Sequence, residues 1–545
     1  MTSAATAPLR PRIFPRWSIG LAILLIGVVA QLVLWQVYAE DPTFSAMSVL
    51  WVWPATLFAF AIWWTFFSGW TMAVRASAWG LIAAMFVVFL SVFRLDGSDG
   101  DMIPKLEYRW TPSARQKAAE YLQRQSIPAP APVEATTETP VANVPAATDD
   151  DSTDFRGNLR DGIIRGAGFR KDWADKPLQE VWRHPIGLGW SSFSVLGDLA
   201  ITQEQRGGDE CVVAYQLATG EPVWRHADRE ELQIVLVNGG NGPHCTPVIV
   251  GEWTYTLGGT GVLNCLATTT GARKWTRNIL NDAGTEGTPV KNLEWGMSAT
   301  PLVVDDLVIC IPGGKLDDKR GKSVIAYDRM TGDIRWTSGS FPASYCGARV
   351  ESLGGVRQVL VFHGLGICGL NLSDGKLLWE KEWTNMPLVN AAQPIRIDEQ
   401  SLLIGNGYGV GSARLSLSAA PDGKWKVDEV WKSNKLKLKF NDAVLHDGFV
   451  YGLDDGILTC IDVETGKTKW KGGRYGYGQI LLHDDTLLVT TEEGDVTLVK
   501  AAPKKFEEQA RIKAVEGTTW NHPVVAHGKL LVRNGTEAVC FDVAP

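Results

Sequence analysis

Three long, nearly uninterrupted apolar runs occupy the first hundred residues of the chain. They cover Ile19–Tyr38, Met47–Phe67 and Ala76–Phe93, and each is close to the ~20 residues that a helix needs to cross a hydrocarbon core. The pattern predicts three transmembrane helices. For the first run the alternative is a cleaved signal peptide, which the two following runs and the lack of a clear small-residue cleavage site disfavour. Tryptophans, which favour membrane interfaces, lie near the ends of the runs: Trp17, Trp35, Trp51, Trp53, Trp70 and Trp79.

The basic residues around these runs predict an orientation. Arg10, Arg12 and Arg16 precede the first run, the loop Ala39–Ala46 carries no Lys or Arg, and the second loop carries Arg75. The positive-inside rule then places the N-terminus in the cytoplasm and everything after the third run outside. We therefore expect a multi-pass protein of a bacterial cytoplasmic (inner) membrane, with its main body in the periplasm.

A linker is expected between this anchor and the body. Pro112–Gln125 could form a short helix, whereas Ile127–Asp151 is rich in Pro, Ala, Thr and Val and predicts a semi-extended tether. The expected division is a cytoplasmic N-terminus (1–17), a membrane anchor (18–94), a periplasmic linker (95–151) and a folded body (152–545).

A short pattern recurs through the body: a small residue, a Thr-Gly or Asp-Gly turn, three further residues and a Trp. Each copy predicts a β-hairpin whose turn Gly takes a positive φ, and a second pair of alternating strands precedes it. Four strands per ~45 residues are typical of a β-propeller blade, in which the Trp can wedge against the neighbouring blade. The copies are AYQLATGEPVW (214–224), CLATTTGARKW (265–275), AYDRMTGDIRW (326–336), GLNLSDGKLLW (369–379), CIDVETGKTKW (460–470) and a degraded PDGKWKVDEVW ending at Trp431.

The spacing of the inner strands predicts eight blades. The segment VWRHP (181–185) matches the outer strand VWRHA (223–227), and the chain ends on AVCFDV (538–543), which is the third strand of a blade without its fourth. Pairing these two segments would close the ring and remove two exposed sheet edges; the alternative is an open solenoid. Inner strands are expected near Phe193, Pro247, Pro301, Ala348, Pro394, Ala443, Ile480 and Pro523.

Composition narrows the function classes. The net charge is −7 and the pI about 5.7, which gives no electrostatic basis for a nucleic-acid partner. The eight Cys have no zinc-like spacing and are too sparse for a disulfide framework. Cys265, Cys460 and Cys540 share one repeat position and are expected to be small buried side chains, whereas Cys245 and Cys346 lie near the predicted axis, where a reactive thiol is the alternative.

The repeat resembles that of the pyrroloquinoline-quinone (PQQ) dehydrogenases and of their non-enzymatic relatives, which include the propeller scaffold of the outer-membrane barrel-assembly machinery. FRGNLRDG (155–162), GRYGYGQ (473–479) and TWNHP (519–523) also resemble a group of bacterial propellers of this type. The resemblance implies an all-β, eight-bladed PQQ-like propeller. It does not choose a function, because enzymes and scaffolds share the fold.

The loops that lead into the eight inner strands would surround the axial funnel of such a propeller. Their aromatic and amide groups could clamp a planar polar ligand by stacking and hydrogen bonding; the alternative is that they satisfy inner-strand backbone groups and buried water. The candidate binding residues are Trp190, His244, Trp295, Tyr345, Asn390, Gln393, Asn441, Tyr477, Gln479, Trp520, Asn521 and His522.

The resemblance to quinoprotein dehydrogenases implies further residues. That family binds Ca²⁺ through Glu, Asn and Asp beside PQQ and uses an Asp as base, which here would be Glu294, Asn441 and Asn521 for the metal and Asp442 for the base. The chain has no Cys-Cys pair and no C-x-x-C-H haem motif.

Two functions therefore remain open. The first is a binding platform, tethered to the lipid bilayer, for a ligand or for a periplasmic or envelope protein. The alternative is a PQQ- and Ca²⁺-dependent dehydrogenase that oxidises an alcohol or sugar and reduces membrane quinone.

Overall fold

The computed structural model of the 545-residue chain describes residues 16–39, 41–125, 144–232, 241–285, 294–314 and 319–545. The chain divides into two compact units, Met1–Pro112 and Ser113–Pro545, which are considered separately.

The first unit contains three helices that are long and apolar enough to cross a membrane: α1 (Arg16–Val37), α2 (Pro42–Ile62) and α3 (Met72–Val92). The side chain of Asp41 caps the start of α2 and that of Thr71 the start of α3, since short polar side chains satisfy the free N–H groups at helix starts. A single π-helical turn, Trp63–Phe67, extends α2. The candidate spans are Trp17–Val37, Thr43–Phe67 and Met72–Val92, so the three expected helices are present.

A two-stranded hairpin follows α3, formed by β1 (Phe93–Ser98) and β2 (Pro104–Tyr108). A linker was expected at this position. The strands form because apolar and polar residues alternate on both sides of the turn, a pattern too short to stand out in the sequence.

The second unit begins with a helix that packs on the propeller. α4 (Ala114–Arg124) starts with a capping box between Ser113 and Gln116 and buries Ala118. Its Tyr121 ring stacks on His184 of strand β3 (Gln179–Pro185), with 6.1 Å between ring centroids. The short helix expected within Pro112–Gln125 is therefore part of the folded body, whereas most of the expected tether, residues 127–143 of 127–151, lies outside the described residues.

Eight four-stranded antiparallel sheets follow. Blade 1 contains β4 (Ser194–Leu196), β5 (Leu199–Arg206), β6 (Asp209–Gln216) and β7 (Pro222–Asp228). Blade 2 contains β8 (Val248–Val250), β9 (Trp253–Leu257), β10 (Val262–Ala267) and β11 (Arg273–Asn278), which α5 (Ile279–Ala283) follows. Blade 3 contains β12 (Leu302–Val304), β13 (Leu307–Cys310), β14 (Val324–Asp328) and β15 (Ile334–Ser338). Blade 4 contains β16 (Arg349–Leu353), β17 (Val356–His363), β18 (Gly366–Asn371) and β19 (Leu377–Glu382).

The second half of the ring continues in the same way. Blade 5 contains β20 (Ile395–Arg396), β21 (Ser401–Asn406), β22 (Gly411–Ala419) and β23 (Trp425–Ser433). Blade 6 contains β24 (Ala443–His446), β25 (Phe449–Asp454), β26 (Ile457–Asp462) and β27 (Thr468–Arg474). Blade 7 contains β28 (Gln479–His483), β29 (Thr486–Thr490), β30 (Asp495–Lys500) and β31 (Glu508–Lys513). Blade 8 contains β32 (Val524–Ala526), β33 (Lys529–Arg533) and β34 (Glu537–Asp542).

The ring is closed by the first and last strands of the propeller. β3 pairs with β34 as the outer strand of blade 8, with Trp182 opposite Cys540 and Arg183 opposite Val539. The eight-bladed fold and its mode of closure are thus confirmed.

The repeat Trp connects neighbouring blades, as expected. In six positions the indole N–H donates to a backbone carbonyl of the next blade at 2.8–3.1 Å, for example Trp224 to Thr268. Five of the turn glycines have φ between 66° and 76°, and each lies against the Trp of the preceding blade. A Cβ at these positions would meet the indole ring. The glycines are Gly220, Gly271, Gly332, Gly375 and Gly466.

The eight cysteines are all buried and unpaired. Cys265, Cys460 and Cys540 lie in cores between blades, as expected of small apolar side chains. Burial raises the pKa of the Cys245 and Cys346 thiols, which keeps both in the less reactive neutral form.

Candidate functional site

The lead-in loops of four blades form one aromatic cluster. Trp190 of blade 1 lies against Trp520 of blade 8, with ring centroids 4.8 Å apart. Phe440, which leads into blade 6, contacts both Trp520 at 5.3 Å and Tyr477 of blade 7 at 5.0 Å. Trp190, Phe440 and Trp520 are partly exposed, whereas Tyr477 is buried. We call Trp190, Phe440, Tyr477 and Trp520 the aromatic mouth.

One buried carboxylate fixes two members of the aromatic mouth. The indole N–H of Trp520 donates to Oε1 of Glu492 at 2.9 Å, and the backbone N–H of Tyr477 donates to Oε2 at 3.1 Å. Hydrogen bonds to an ionised acceptor are stronger than neutral ones. Glu492 therefore fixes the indole ring of Trp520 and the backbone of Tyr477 relative to each other without the help of a ligand.

A buried lysine completes this side of the funnel. The ammonium group of Lys439 lies 4.2 Å from the ring centroid of Tyr477 and 5.8 Å from those of Tyr408 and Phe440. Such cation–π contacts gain strength where the ammonium is desolvated, and Lys439 is only 3% exposed. The mouth is consequently both aromatic and cationic.

A second group of predicted residues lies on blades 2 to 4. Trp295 packs edge-on against Tyr345 with centroids 5.6 Å apart, and Nδ1 of His244 lies 2.9 Å from the Ser298 hydroxyl. Burial, and then the nearby charge of Glu294, raises the pKa of Tyr345. The predicted ring of aromatic residues is therefore divided between two sides of the funnel.

The predicted amides mainly tie neighbouring blades together. The Asn521 amide donates to the Ser191 carbonyl at 2.8 Å, and the Gln479 amide donates to the Trp520 carbonyl at 3.0 Å. Gln393 donates similarly to Gly347 at 3.3 Å, and Asn390 to His363 at 2.7 Å. These contacts support the structural interpretation for the amide N–H groups.

In three of these amides the N–H group is hydrogen-bonded within the described part of the chain but the side-chain carbonyl oxygen is not. The side-chain carbonyl oxygens of Gln393, Gln479 and Asn521 are buried and accept no hydrogen bond from any residue that the structure describes. A buried acceptor without a donor costs free energy, so these oxygens favour a bound molecule with N–H or O–H groups, or ordered water.

Asp442, the predicted base, belongs to a buried ionic cluster. Its Oδ2 lies 3.4 Å from Nε of Arg156 and 3.3 Å from Nε2 of His522, and its Oδ1 accepts the backbone N–H of Gln393 at 2.6 Å. Burial by itself would raise the pKa of Asp442, but the Arg156 charge and the His522 hydrogen bond hold it at about 2. A carboxylate with this pKa is a weak base at neutral pH.

Arg156 comes from a segment that crosses the ring axis, which we call the floor segment (residues 152–164). Ser152 bridges to Val195 of blade 1, and the N–H of Ile164 donates to Leu482 of blade 7 at 2.7 Å. Because Arg156 also donates to the carbonyl of Ala443 in blade 6 at 2.9 Å, this segment contacts the inner strands of three blades.

A second arginine fastens the floor segment on the opposite side. Arg160 donates to the carbonyl of Ala348 in blade 4 at 2.9 Å and to that of Pro301, which precedes blade 3. It also forms an ion pair with Asp154 at 2.8 Å. Phe155 packs edge-on against His522 with centroids 4.8 Å apart. The FRGNLRDG motif therefore has a structural role that its sequence did not disclose.

The residues proposed for calcium do not fit that ion in this arrangement. The Asn441 carbonyl oxygen already accepts the backbone N–H of Lys439 at 3.1 Å, and Glu294 is exposed beside Tyr345. Asn521 alone has a free buried oxygen. In the part of the chain that the structure describes, no three His, Cys, Asp or Glu side chains are grouped to hold a metal.

Comparison with known proteins confirms the expected resemblance. Residues 208–472 match the family described as outer membrane protein assembly factor BamB. The quinohemoprotein alcohol dehydrogenase from Comamonas testosteroni aligns with a TM-score of 0.51 and 12% identity, over 79% of this chain and 84% of its own. BamB from Moraxella catarrhalis aligns with a TM-score of 0.48 and 17% identity, over 67% of this chain and 97% of its own. A search of curated proteins finds no match. At these identities the structural likeness establishes the propeller fold alone.

Proposed function

We propose that this chain is a binding platform: a PQQ-like propeller tethered to the cytoplasmic membrane by α1–α3, with its N-terminus in the cytoplasm and the propeller in the periplasm. It takes a small polar ligand, or a segment of an envelope protein, at the aromatic mouth. The observation that carries this proposal is the preorganised mouth, in which Glu492 holds Trp520 and Tyr477 while Trp190 and Phe440 stay partly exposed.

The chemistry of the mouth favours a flat group that also carries hydrogen-bond donors. Aromatic faces bind planar surfaces by stacking, and the buried carbonyl oxygens of Gln393, Gln479 and Asn521 can accept N–H or O–H groups.

The dehydrogenase alternative is less well supported by the same geometry. Asp442 is neutralised by Arg156, and the candidate calcium ligands do not fit the ion. Fold likeness to a quinohemoprotein dehydrogenase does not transfer its chemistry to this chain.

Photo-crosslinking in living cells tests the platform. A photoreactive phenylalanine analogue replaces Phe440 in the full-length chain, and the control carries it at Leu377, which is 54% exposed on the outer strand of blade 4. We expect crosslinked products at position 440 that are missing at 377. Equal products at both positions, or none at 440, would contradict binding at the mouth.

Calorimetric titration of the full-length chain with PQQ and Ca²⁺ separates the two functions. Binding below ~1 μM, equivalent to about −8 kcal/mol, that also requires Ca²⁺ would favour the dehydrogenase and justify a screen of alcohols and sugars. We expect no such binding.

A further inference from the structure

The hairpin β1–β2 continues directly from the third apolar helix. β1 begins at Phe93, one residue after the end of α3 at Val92. Beyond β2, the N–H of Arg109 still donates to the carbonyl of Val92 at 2.9 Å. The hairpin is therefore attached to the end of α3 by both of its strands.

One face of this hairpin is apolar. Phe93 pairs with Tyr108 and Leu95 with Leu106, and alternate residues of a strand point to the same side, so these four side chains share a face. Leu95, Leu106 and Tyr108 are 50–51% exposed. This is a large apolar exposure for a two-stranded element, which is marginally stable by itself in water.

The opposite face is charged. Arg94 and Glu107 stand opposite each other in the register and form an ion pair at 2.7 Å, and Lys105, next to the paired Leu106, lies on the same side by alternation. The hairpin is thus amphipathic across its two faces.

Aromatic rings connect the apolar face to the helix. Phe89 of α3 contacts Phe93 at 5.2 Å between centroids, Phe93 contacts Tyr108 at 5.2 Å, and Tyr108 stacks on Trp110 at 4.9 Å. Trp110 is 67% exposed. Tyrosine and tryptophan are the residues that gather where a membrane meets water.

The tip of the hairpin reaches back to the helices. The hydroxyl of Thr43, in the first turn of α2, donates to Oδ1 of Asp101 at 3.2 Å. The start of α2 and the end of α3 lie at the same end of the helical unit, so the hairpin spans from one helix to the other instead of projecting away from them. An arm of six residues covers ~20 Å at ~3.3 Å per residue, enough for this crossing.

We propose that the hairpin β1–β2 lies on the outer leaflet of the bilayer, with Phe93, Leu95, Leu106 and Tyr108 inserted at the boundary between headgroups and acyl chains. This inference rests on the membrane anchoring in the proposed function. An amphipathic element beside a span gains from burying its apolar face there while its charged face stays in water. The occupant of the apolar face is therefore lipid, not protein.

A dye attached to an added cysteine can report how deep each face of the hairpin β1–β2 lies in the bilayer. The eight native cysteines are buried, so an environment-sensitive maleimide dye selects an added surface cysteine. Leu106→Cys reports the apolar face, Lys105→Cys is the matched control one residue away on the charged face, and Phe86→Cys, 60% exposed on α3, reports the span. The full-length variants are placed in phosphatidylcholine nanodiscs with or without a nitroxide-labelled phosphatidylcholine.

The expected result is a blue-shifted dye at position 106 that loses fluorescence to the nitroxide lipid and resists iodide, and a dye at 105 that iodide quenches. Equal iodide quenching at 105 and 106 would overturn the inference. So would protection from iodide at 106 without nitroxide quenching, because protein would then cover the face. If the dye at 86 also escapes the nitroxide, the anchoring itself has failed. If Leu106→Cys does not fold, Trp110→Cys takes its place.

Discussion

The indole N–H of Trp520 donates to the carboxylate of Glu492 at 2.9 Å, across the boundary between blades 7 and 8. The same carboxylate accepts the backbone N–H of Tyr477, so one side chain sets the shape of the aromatic mouth.

Glu492→Ala should therefore loosen the mouth and weaken crosslinking at position 440. Removal of the acceptor from one buried and one partly buried donor costs ~1–3 kcal/mol of unfolding free energy, measurable by chemical denaturation. Glu493→Ala, at the exposed neighbouring residue, is the control and should change neither quantity. Unchanged crosslinking in Glu492→Ala would mean that the mouth is not the binding surface.

A comparison of substitutions at two turn glycines can distinguish the cost of backbone strain from the cost of a clash between blades. Gly271 and Gly423 have φ of 70° and 81°, but a Cβ at Gly271 would meet Trp224 whereas one at Gly423 would meet nothing within 4 Å. Ala at either position costs ~1–2 kcal/mol for the left-handed conformation. Thermal unfolding should show a clearly larger loss for Gly271→Ala, and equal losses would remove the Trp contact as its cause.

The buried ion pair between Arg156 of the floor segment and Asp442 should contribute less to the stability of the propeller at low pH. The pKa of Asp442 is about 2 in the folded chain, against an ordinary value of 3.8 for a solvated aspartate. The stabilisation is complete above about pH 4 and is lost as the pH falls through 2, because the unfolded chain takes up the proton first. Asp442→Asn should remove this part of the pH dependence of unfolding, while Asp447→Asn, at an exposed position, should leave it intact. If the free energy of unfolding depends on pH in the same way in both variants, Asp442 is not the group responsible.

Arg156→Ala should destabilise the propeller by ~3–5 kcal/mol, because it leaves the buried Asp442 charge without its main partner. Arg165 offers a matched control, since its ion pair with Asp161 at 2.7 Å is partly exposed, and exposed pairs contribute ~0–1 kcal/mol. Denaturant midpoints of the two variants test the difference. Similar midpoints would show that the floor segment does not hold the ring together.

Local patterns predicted most of the fold. Six copies of one hairpin motif predicted the blade architecture and the role of Trp224 and its equivalents, because each copy carries its own turn and its own packing residue, and the spacing of the inner strands predicted the blade count. The exception is Trp379, which donates to Gln358 of its own blade at 2.6 Å. The turn that would face Trp379 is the degraded copy of the motif in blade 5. The side chain of Gln358 therefore takes the place of the backbone carbonyl that accepts the indole N–H in the other blades.

The candidate site was less predictable, since its contacts join residues that are distant in sequence. Phe440 lies in a lead-in loop in which the sequence pattern points to the next two residues, Asn441 and Asp442, and not to Phe440. Lys439 and Glu492 belong to no motif. Glu492 acts only through residues of two lead-in loops, and Arg156 reaches the carbonyl of Ala443, 287 positions away. No local pattern encodes such pairs.

Closure of the ring between β3 and β34 also sets an order of events during synthesis. Arg183 and Glu537, which form an ion pair across this seam, are 354 positions apart. At ~5–20 residues per second, a ribosome needs roughly 20–70 s to travel from one to the other. During that interval β3 has emerged without its partner strand, and its edge is open to other chains. The seam is therefore the point at which a nascent propeller depends most on shielding before it is complete.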